Sequence, residues 1–150
     1  MFVIGLLIKI SSKGPVFYRQ QRIGLNQKIF EIIKFRTMTH DAERATGPVL
    51  SNSGDNRITP VGRVLRKTRL DELPQLISVL KGEMSFIGPR PERSHIINEL
   101  KQQIPYYLAR LRVKPGVTGW AQVNLNYDRT IEDVRLKVQY DLYYIEGLHT

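Results

Sequence analysis

The sequence predicts an α+β fold, an N-terminal β-hairpin followed by several short amphipathic helices, and three observations carry that reading. Segments rich in Val, Ile, Phe and Tyr come early, in GPVFYRQ and KIFEIIKFRTM, with turn residues between them. Apolar residues at helical spacing dominate after residue 59. No strand–helix–strand alternation joins the two halves, which argues against a doubly wound sheet. The 150 residues, 41 % hydrophobic and 25 % charged, are enough for one compact domain with its own core.

The first element is MFVIGLLIKI, apolar for about ten residues before Ser11-Ser12 and well short of the roughly 20 needed to span a bilayer as a helix. It lacks the basic start and small-residue cleavage site of a signal peptide. Two readings stay open: a buried first helix or strand, or a segment that dips into a membrane. The second draws on Lys9, Lys13, Arg19, Arg22 and Lys28, which follow with no acid before Glu31 and suit an anionic leaflet.

The hairpin is expected over residues 15 to 37, turning at RIGLNQ with Gly24 and Asn26. From Thr39 to Asn56 the chain is polar and aperiodic, a long loop with one helical turn at 39 to 45 and the character of a lid. Thr59-Pro60 starts a helix, the hydroxyl capping and the proline in the first turn. Its other residues include Arg63, Arg66 and Lys67, with Arg57 and Arg69 on either side and no acid among them. Alone, such a run is a solvated helix face. Here it leads directly into Asp71.

Leu73, Leu76, Ile77 and Leu80 predict a helix of about 72 to 81, with Asp71 at or near its N-cap, Pro74 in the first turn and Gly82 as its C-terminal cap. Ile96, Ile97, Leu100 and Ile104 predict a helix ending before Pro105, and a shorter one covers 106 to 112. KPGVTGW reads as a turn about Pro115-Gly116. Thr130 and Asp133 resemble a capping box, opening an amphipathic helix that runs to about 146.

Twenty-three Lys and Arg against fourteen Asp and Glu leave a net charge of +9, so the surface attracts something anionic: nucleic acid, lipid or phosphorylated small molecules. No RNP-like aromatic run, zinc spacing or recognition-helix pattern accompanies the charge, and no nucleic-acid partner is expected. With no cysteine there is no disulfide framework or thiolate chemistry, and any metal must be held by oxygen or imidazole.

The adjacent acids Asp71 and Glu72 carry the chemistry. On spacing alone they are a helix cap and a first-turn acid favoured by the helix dipole. Beside the cations, they suit binding of phosphate and Mg²⁺ together. An aspartate can attack phosphorus while a second carboxylate holds the Mg²⁺ that neutralises a diphosphate. The attacking group must be ionised, and the helix end and arginines are expected to favour that form. Downstream, Arg90 sits between Pro89 and Pro91 on a stiff segment suited to a bidentate phosphate clamp. Trp120, Gln122 and Asn124 follow a rigid turn, where the tryptophan is either a core residue or the rim of a sugar or aromatic ligand pocket.

The blocks SKGPVFYRQQRIG, FEIIKFRTM, LRKTRLDELPQLISVLKGEMSFIGPRPE and KPGVTGWAQVN, in this order, resemble the catalytic domain of the bacterial sugar transferases, the monotopic polyprenyl-phosphate phosphoglycosyl transferases. PERSHIINELKQQIPYYLARLR and QYDLYYIE are most similar to members that begin exopolysaccharide repeat units. The resemblance implies transfer of a sugar 1-phosphate from a nucleoside diphosphate sugar, usually a UDP-sugar, to undecaprenyl phosphate by a ping-pong route. It implies Asp71 as nucleophile, Glu72 as Mg²⁺ ligand and Arg63, Arg66, Arg69 and Arg90 as phosphate contacts, and it matches Trp120 and Gln122 to the family's TGWAQ block as substrate-pocket candidates. It also implies a place at the cytoplasmic face of the bacterial inner membrane, with 1–11 the remnant of a re-entrant or interfacial segment and 12–150 the catalytic domain. The family's longer N-terminal apolar segment and its C-terminal extension are not matched, so the chain is expected to be a fragment or a shortened form. The alternative is an inactive basic module docking on anionic membrane or on the polysaccharide assembly machinery.

Overall fold

The computed structural model describes residues 1–40, 42, 55–125 and 130–148, so most of the expected loop of 39 to 56, with its helical turn, lies outside the described residues. The architecture is α+β. Helix α1 (Phe2–Ser11) precedes the antiparallel hairpin of β1 (Phe17–Ile23) and β2 (Ile29–Phe35); α2 (Pro60–Lys67), α3 (Leu76–Leu80), β3 (Ser85–Ile87), α4 (Ser94–Gln103), β4 (Gly116–Thr118), α5 (Trp120–Asn124) and α6 (Ile131–Gly147) follow. Leu25–Gln27, Leu70–Gln75 and Tyr107–Arg112 are 3₁₀ turns. At the hairpin tip Asn26 and Gln27 both take positive φ, 52° and 62°, as a tight reversal demands.

Contacts divide the chain into two compact units. The first comprises residues 1–19 and 33–75. Its core is Ile8, Phe35 and Leu65, with Ile4, Val16 and Val61 packed against them, and Phe17 stacks on Phe35 at 5.4 Å between ring centroids. Of the α1 residues only Ile8 is fully buried, while Phe2 is 86 % exposed and Ile10 74 %. The end of α1 is held by Arg36, whose Nη1 donates to the Lys13 carbonyl (2.7 Å) and whose Nη2 donates to the carbonyl (2.8 Å) and hydroxyl (2.9 Å) of Ser12. These bonds pin the extended stretch that leaves α1.

Beyond β2 the chain stays extended: Thr59 N donates to Thr37 O (3.0 Å) and Thr39 N to Arg57 O (2.9 Å), with an antiparallel bridge between Met38 and Ile58. This pairing sets down the first turn of α2. The Thr59 hydroxyl accepts from Gly62 N at 2.9 Å, the cap the sequence predicts. Gly62 lies so close to Thr37 that a Cβ there would come within 2.0 Å of its carbonyl oxygen.

The second unit comprises 20–32 and 76–150. One cluster joins Ile23, Ile97, Ile104, Tyr107, Leu111 and Val138; another joins Phe30, Ile32 and Met84 with Val79 and Val117. The capping box at Thr130 and Asp133 is formed in full, and α6 ends within a residue of the expected point.

Two expectations need correction. The helix of 72 to 81 is a 3₁₀ stretch, Leu70–Gln75, followed by the short α3. Pro74 disfavours the α conformation at Leu73, so the regular helix begins only beyond it. KPGVTGW is more than a turn: Gly116–Thr118 forms β4, which pairs in parallel with β3 in the register Ser85 to Gly116 and Ile87 to Thr118, and Trp120 opens α5. The backbones meet closely there. A Cβ on Gly116 would lie 2.2 Å from Gly88 N, and one on Gly119 would lie 2.2 Å from Gly88 O.

Candidate active site

Asp71 and Glu72 occupy the first turn of the 3₁₀ stretch Leu70–Gln75, and both are buried. Asp71 therefore lies inside the turn and not at the N-cap that its spacing predicts. The chain reaches this point through Arg69, whose φ of 59° reverses its direction after α2, and Glu72 N donates to Arg69 O at 3.2 Å.

The two carboxylates differ in their partners. Glu72 Oε1 accepts from Lys34 Nζ on β2 at 2.7 Å, an ion pair with little solvent on either side. Asp71 Oδ1 is buried with no hydrogen-bond partner. Burial pushes the Asp71 carboxyl above its ordinary value and Glu72 adds to this, while Lys34 and Arg66 pull downward without cancelling it. The expected lowering by a helix end and arginines is thus reversed, because loss of water outweighs the cations.

Arg66 is fixed by its Nε, which donates to Thr37 Oγ1 at 2.8 Å. Arg63 and Arg69 belong to the same unit and are exposed. Asp71, Glu72, Lys34 and Arg66 thus form one electrostatic group within the first unit. Lys34 was missed in the sequence, although a signal exists: Phe30, Ile32 and Lys34 alternate along β2, and a lysine in step with two buried residues needs a counter-ion.

Arg90, Trp120 and Gln122 lie in the second unit. The Pro89-Arg90-Pro91 segment is held through its carbonyls, with Arg110 Nη2 donating to Arg90 O at 3.0 Å. Trp120 is 44 % exposed at the start of α5, which excludes the core reading. Gln122 Nε2 donates to Val117 O at 3.4 Å, leaving Oε1 buried and unpartnered.

For Mg²⁺ the donor set fits. This ion keeps several waters and takes one or two carboxylates plus substrate phosphate oxygens, so it needs no all-protein cage. Among the described residues no group of three His, Asp or Glu side chains forms such a cage. The hard oxygens of Glu72, beside the orphaned Oδ1 of Asp71, are donors of the required kind.

A protein-family model described as bacterial sugar transferase matches residues 1–150. The chain belongs to the bacterial sugar transferases. This sugar transferase is 45 % identical over 147 residues to the UDP-N-acetylgalactosamine-undecaprenyl-phosphate N-acetylgalactosaminephosphotransferase of Aeromonas hydrophila, covering 98 % of this chain and 34 % of that protein. It is 44 % identical over 147 residues to the UDP-glucose:undecaprenyl-phosphate glucose-1-phosphate transferase of Xanthomonas campestris pv. campestris, covering 97 % of this chain and 30 % of that one. The protein of the same description from Escherichia coli (strain K12) is 43 % identical over 145 residues, or 95 % and 31 % of the two chains. The sugar transferase chain spans about a third of the length of these relatives.

Proposed function

We propose that this chain is the catalytic part of a phosphoglycosyl transferase that moves a sugar 1-phosphate from a UDP-sugar to undecaprenyl phosphate, an opening step of exopolysaccharide or related repeat-unit synthesis. The observation that carries the reading is Asp71: a buried carboxylate oxygen with no partner, next to an acid that is already paired, in a family whose relatives are named for this transfer. An acceptor oxygen left bare in a protein interior is costly unless something comes to it, and an electrophilic phosphorus is the partner that this chemistry supplies.

In the first half-reaction an oxygen of the Asp71 carboxylate bonds to the sugar-bearing phosphorus, the bridging P–O bond breaks, and UMP leaves with the electron pair. In the second, an oxygen of undecaprenyl phosphate attacks the same phosphorus and the bond to Asp71 breaks. The carboxylate is restored and the product is a lipid-linked sugar diphosphate. Arg66, braced by Thr37, and the exposed Arg63 and Arg69 serve as phosphate contacts, Arg90 as a phosphate clamp, and Trp120 and Gln122 as pocket residues. Lys34 orients Glu72 through their ion pair. Mg²⁺ would be held by Glu72 and supplies neutralisation of the diphosphate charge.

The same reading puts the protein at the cytoplasmic face of the bacterial inner membrane, with residues 1–11 toward the lipid and 12–150 carrying catalysis. The exposed apolar side chains of α1 support it. No helix among the described residues is long and apolar enough to cross a membrane.

The test is release of UMP from UDP-glucose or UDP-N-acetylgalactosamine with Mg²⁺ and undecaprenyl phosphate. Asp71→Asn, nearly isosteric, is expected to lower turnover by at least about 10³-fold while the fold persists, in the range for loss of a covalent nucleophile. Undiminished turnover in that variant would sink the mechanism.

A further inference from the structure

Arg110 is 2 % exposed, and a fully buried arginine needs a reason, because the cation gives up its hydration and an apolar side chain could fill the same space. Its guanidinium works in three directions. Nε and Nη2 donate to Asp141 Oδ2 at 3.0 and 2.8 Å, and Nη1 to the Tyr107 hydroxyl at 3.0 Å. Nη2 also donates to the backbone carbonyl of Arg90 at 3.0 Å. The first two directions satisfy the charge. The third touches the one residue between the two prolines.

That bond is one of four in succession. Pro89 O accepts from Gly116 N, Arg90 O from Arg110 Nη2, Pro91 O from Arg22 Nη1 and Glu92 O from Ile23 N, each at 3.0 Å. The Glu92 side chain adds Lys137 Nζ at 2.9 Å and Arg22 Nη1 at 3.6 Å. Pro89 and Pro91 have no N–H to place in a sheet ladder, so the segment is fixed through its carbonyls. The donors come from β1, β4 and the turn Tyr107–Arg112, with α6 adding Lys137 to the Glu92 side chain.

We propose that Arg110 is a positioning residue for substrate binding: anchored by Asp141 and Tyr107, it fixes the backbone from which the Arg90 side chain grips a nucleoside diphosphate. This rests on the reading of Arg90 as a phosphate clamp. A guanidinium makes a bidentate phosphate contact only if its stem starts from the right point, and a displacement of about 1 Å is enough to cost about a hundredfold. Lysine at 110 keeps the charge next to Asp141 but lacks the fork that spans Asp141 and the Arg90 carbonyl together.

The experiment measures UDP affinity by calorimetry with MgCl₂ on the whole chain, for wild type, Arg90→Ala, Arg110→Lys and the double variant, at a temperature where circular dichroism shows each folded. Arg90→Ala and Arg110→Lys are each expected to weaken UDP binding about ten- to a hundredfold, with the double variant no weaker than Arg90→Ala. Should Arg110→Lys not fold, Tyr107→Phe takes its place, with a smaller loss that vanishes in the Arg90→Ala background. Wild-type affinity in a folded Arg110→Lys or Tyr107→Phe chain, or a loss that multiplies with that of Arg90→Ala, overturns the positioning role alone. Unchanged affinity in Arg90→Ala, or a wild-type chain that binds no UDP, overturns the clamp and the positioning role together.

Discussion

Arg69 holds the left-handed backbone conformation that glycine adopts freely and that costs an ordinary residue about 1–2 kcal/mol. It sits between the last residue of the α2 turn and the carboxylates, so the strain lies where the chain must reverse to deliver Asp71. Arg69→Gly is expected to leave stability unchanged or raise it by up to about 1 kcal/mol in urea melts, while UMP release falls through loss of a phosphate contact. Arg69→Ala keeps the strain and loses the charge, so it should match the glycine variant in activity and fall below it in stability. At this scale the sequence was informative about the acids and silent about what surrounds them. Adjacent Asp and Glu in a basic setting are visible in a line of text, but Lys34 is 38 residues from its partner. The bare Oδ1 of Asp71 is likewise a fact of packing, as is the upward push that burial exerts on its carboxyl.

Helix α2 shows how an element can be placed by the absence of a side chain. Gly62 is a poor helix residue, and alanine would ordinarily gain about 1 kcal/mol there. Against that, the added carbon would meet a backbone carbonyl at 2.0 Å, which cannot step aside as a flexible side chain would. Gly62→Ala is therefore expected to lower stability by about 1–3 kcal/mol in thermal melts and to lower UMP release as well, because α2 carries Arg63 and Arg66. A more stable alanine variant would show that the helix does not rest on Thr37. Elements were legible wherever local chemistry ends them, as at Thr59 and at the Thr130–Asp133 box. They were illegible where the cause is remote or short. A three-residue strand shows no alternation, so β3 and its parallel partner β4 escaped notice, and Pro74 turned an expected helix into two pieces.

On a chain of net charge +9, acid resistance rests on the carboxylates that nearby cations hold below their ordinary pKa. Glu92 is the clearest case. Burial acts to raise its pKa, but Lys137, Arg110 and Arg22 outweigh burial and hold the carboxyl below its ordinary value. A folded-state pKa below the unfolded one contributes stability above the unfolded value, about 4.3, and that contribution is lost as pH falls through the folded value. The melting temperature is accordingly expected to drop below about pH 4 in the wild type. Glu92→Gln should start lower at neutral pH and follow a flatter course through the same range; an equally steep acid limb in that variant would assign the loss to other carboxylates. The α+β class was readable from the whole chain because hairpin and helices follow one another without alternation, whereas the division into two units depends on long-range contacts. The guanidinium of Arg36 holds the carbonyls of Ser12 and Lys13, just past the end of α1, while its backbone follows β2 two residues past Lys34. One side chain thus ties the stretch that follows α1 to the end of the strand whose Lys34 ammonium group tethers Glu72.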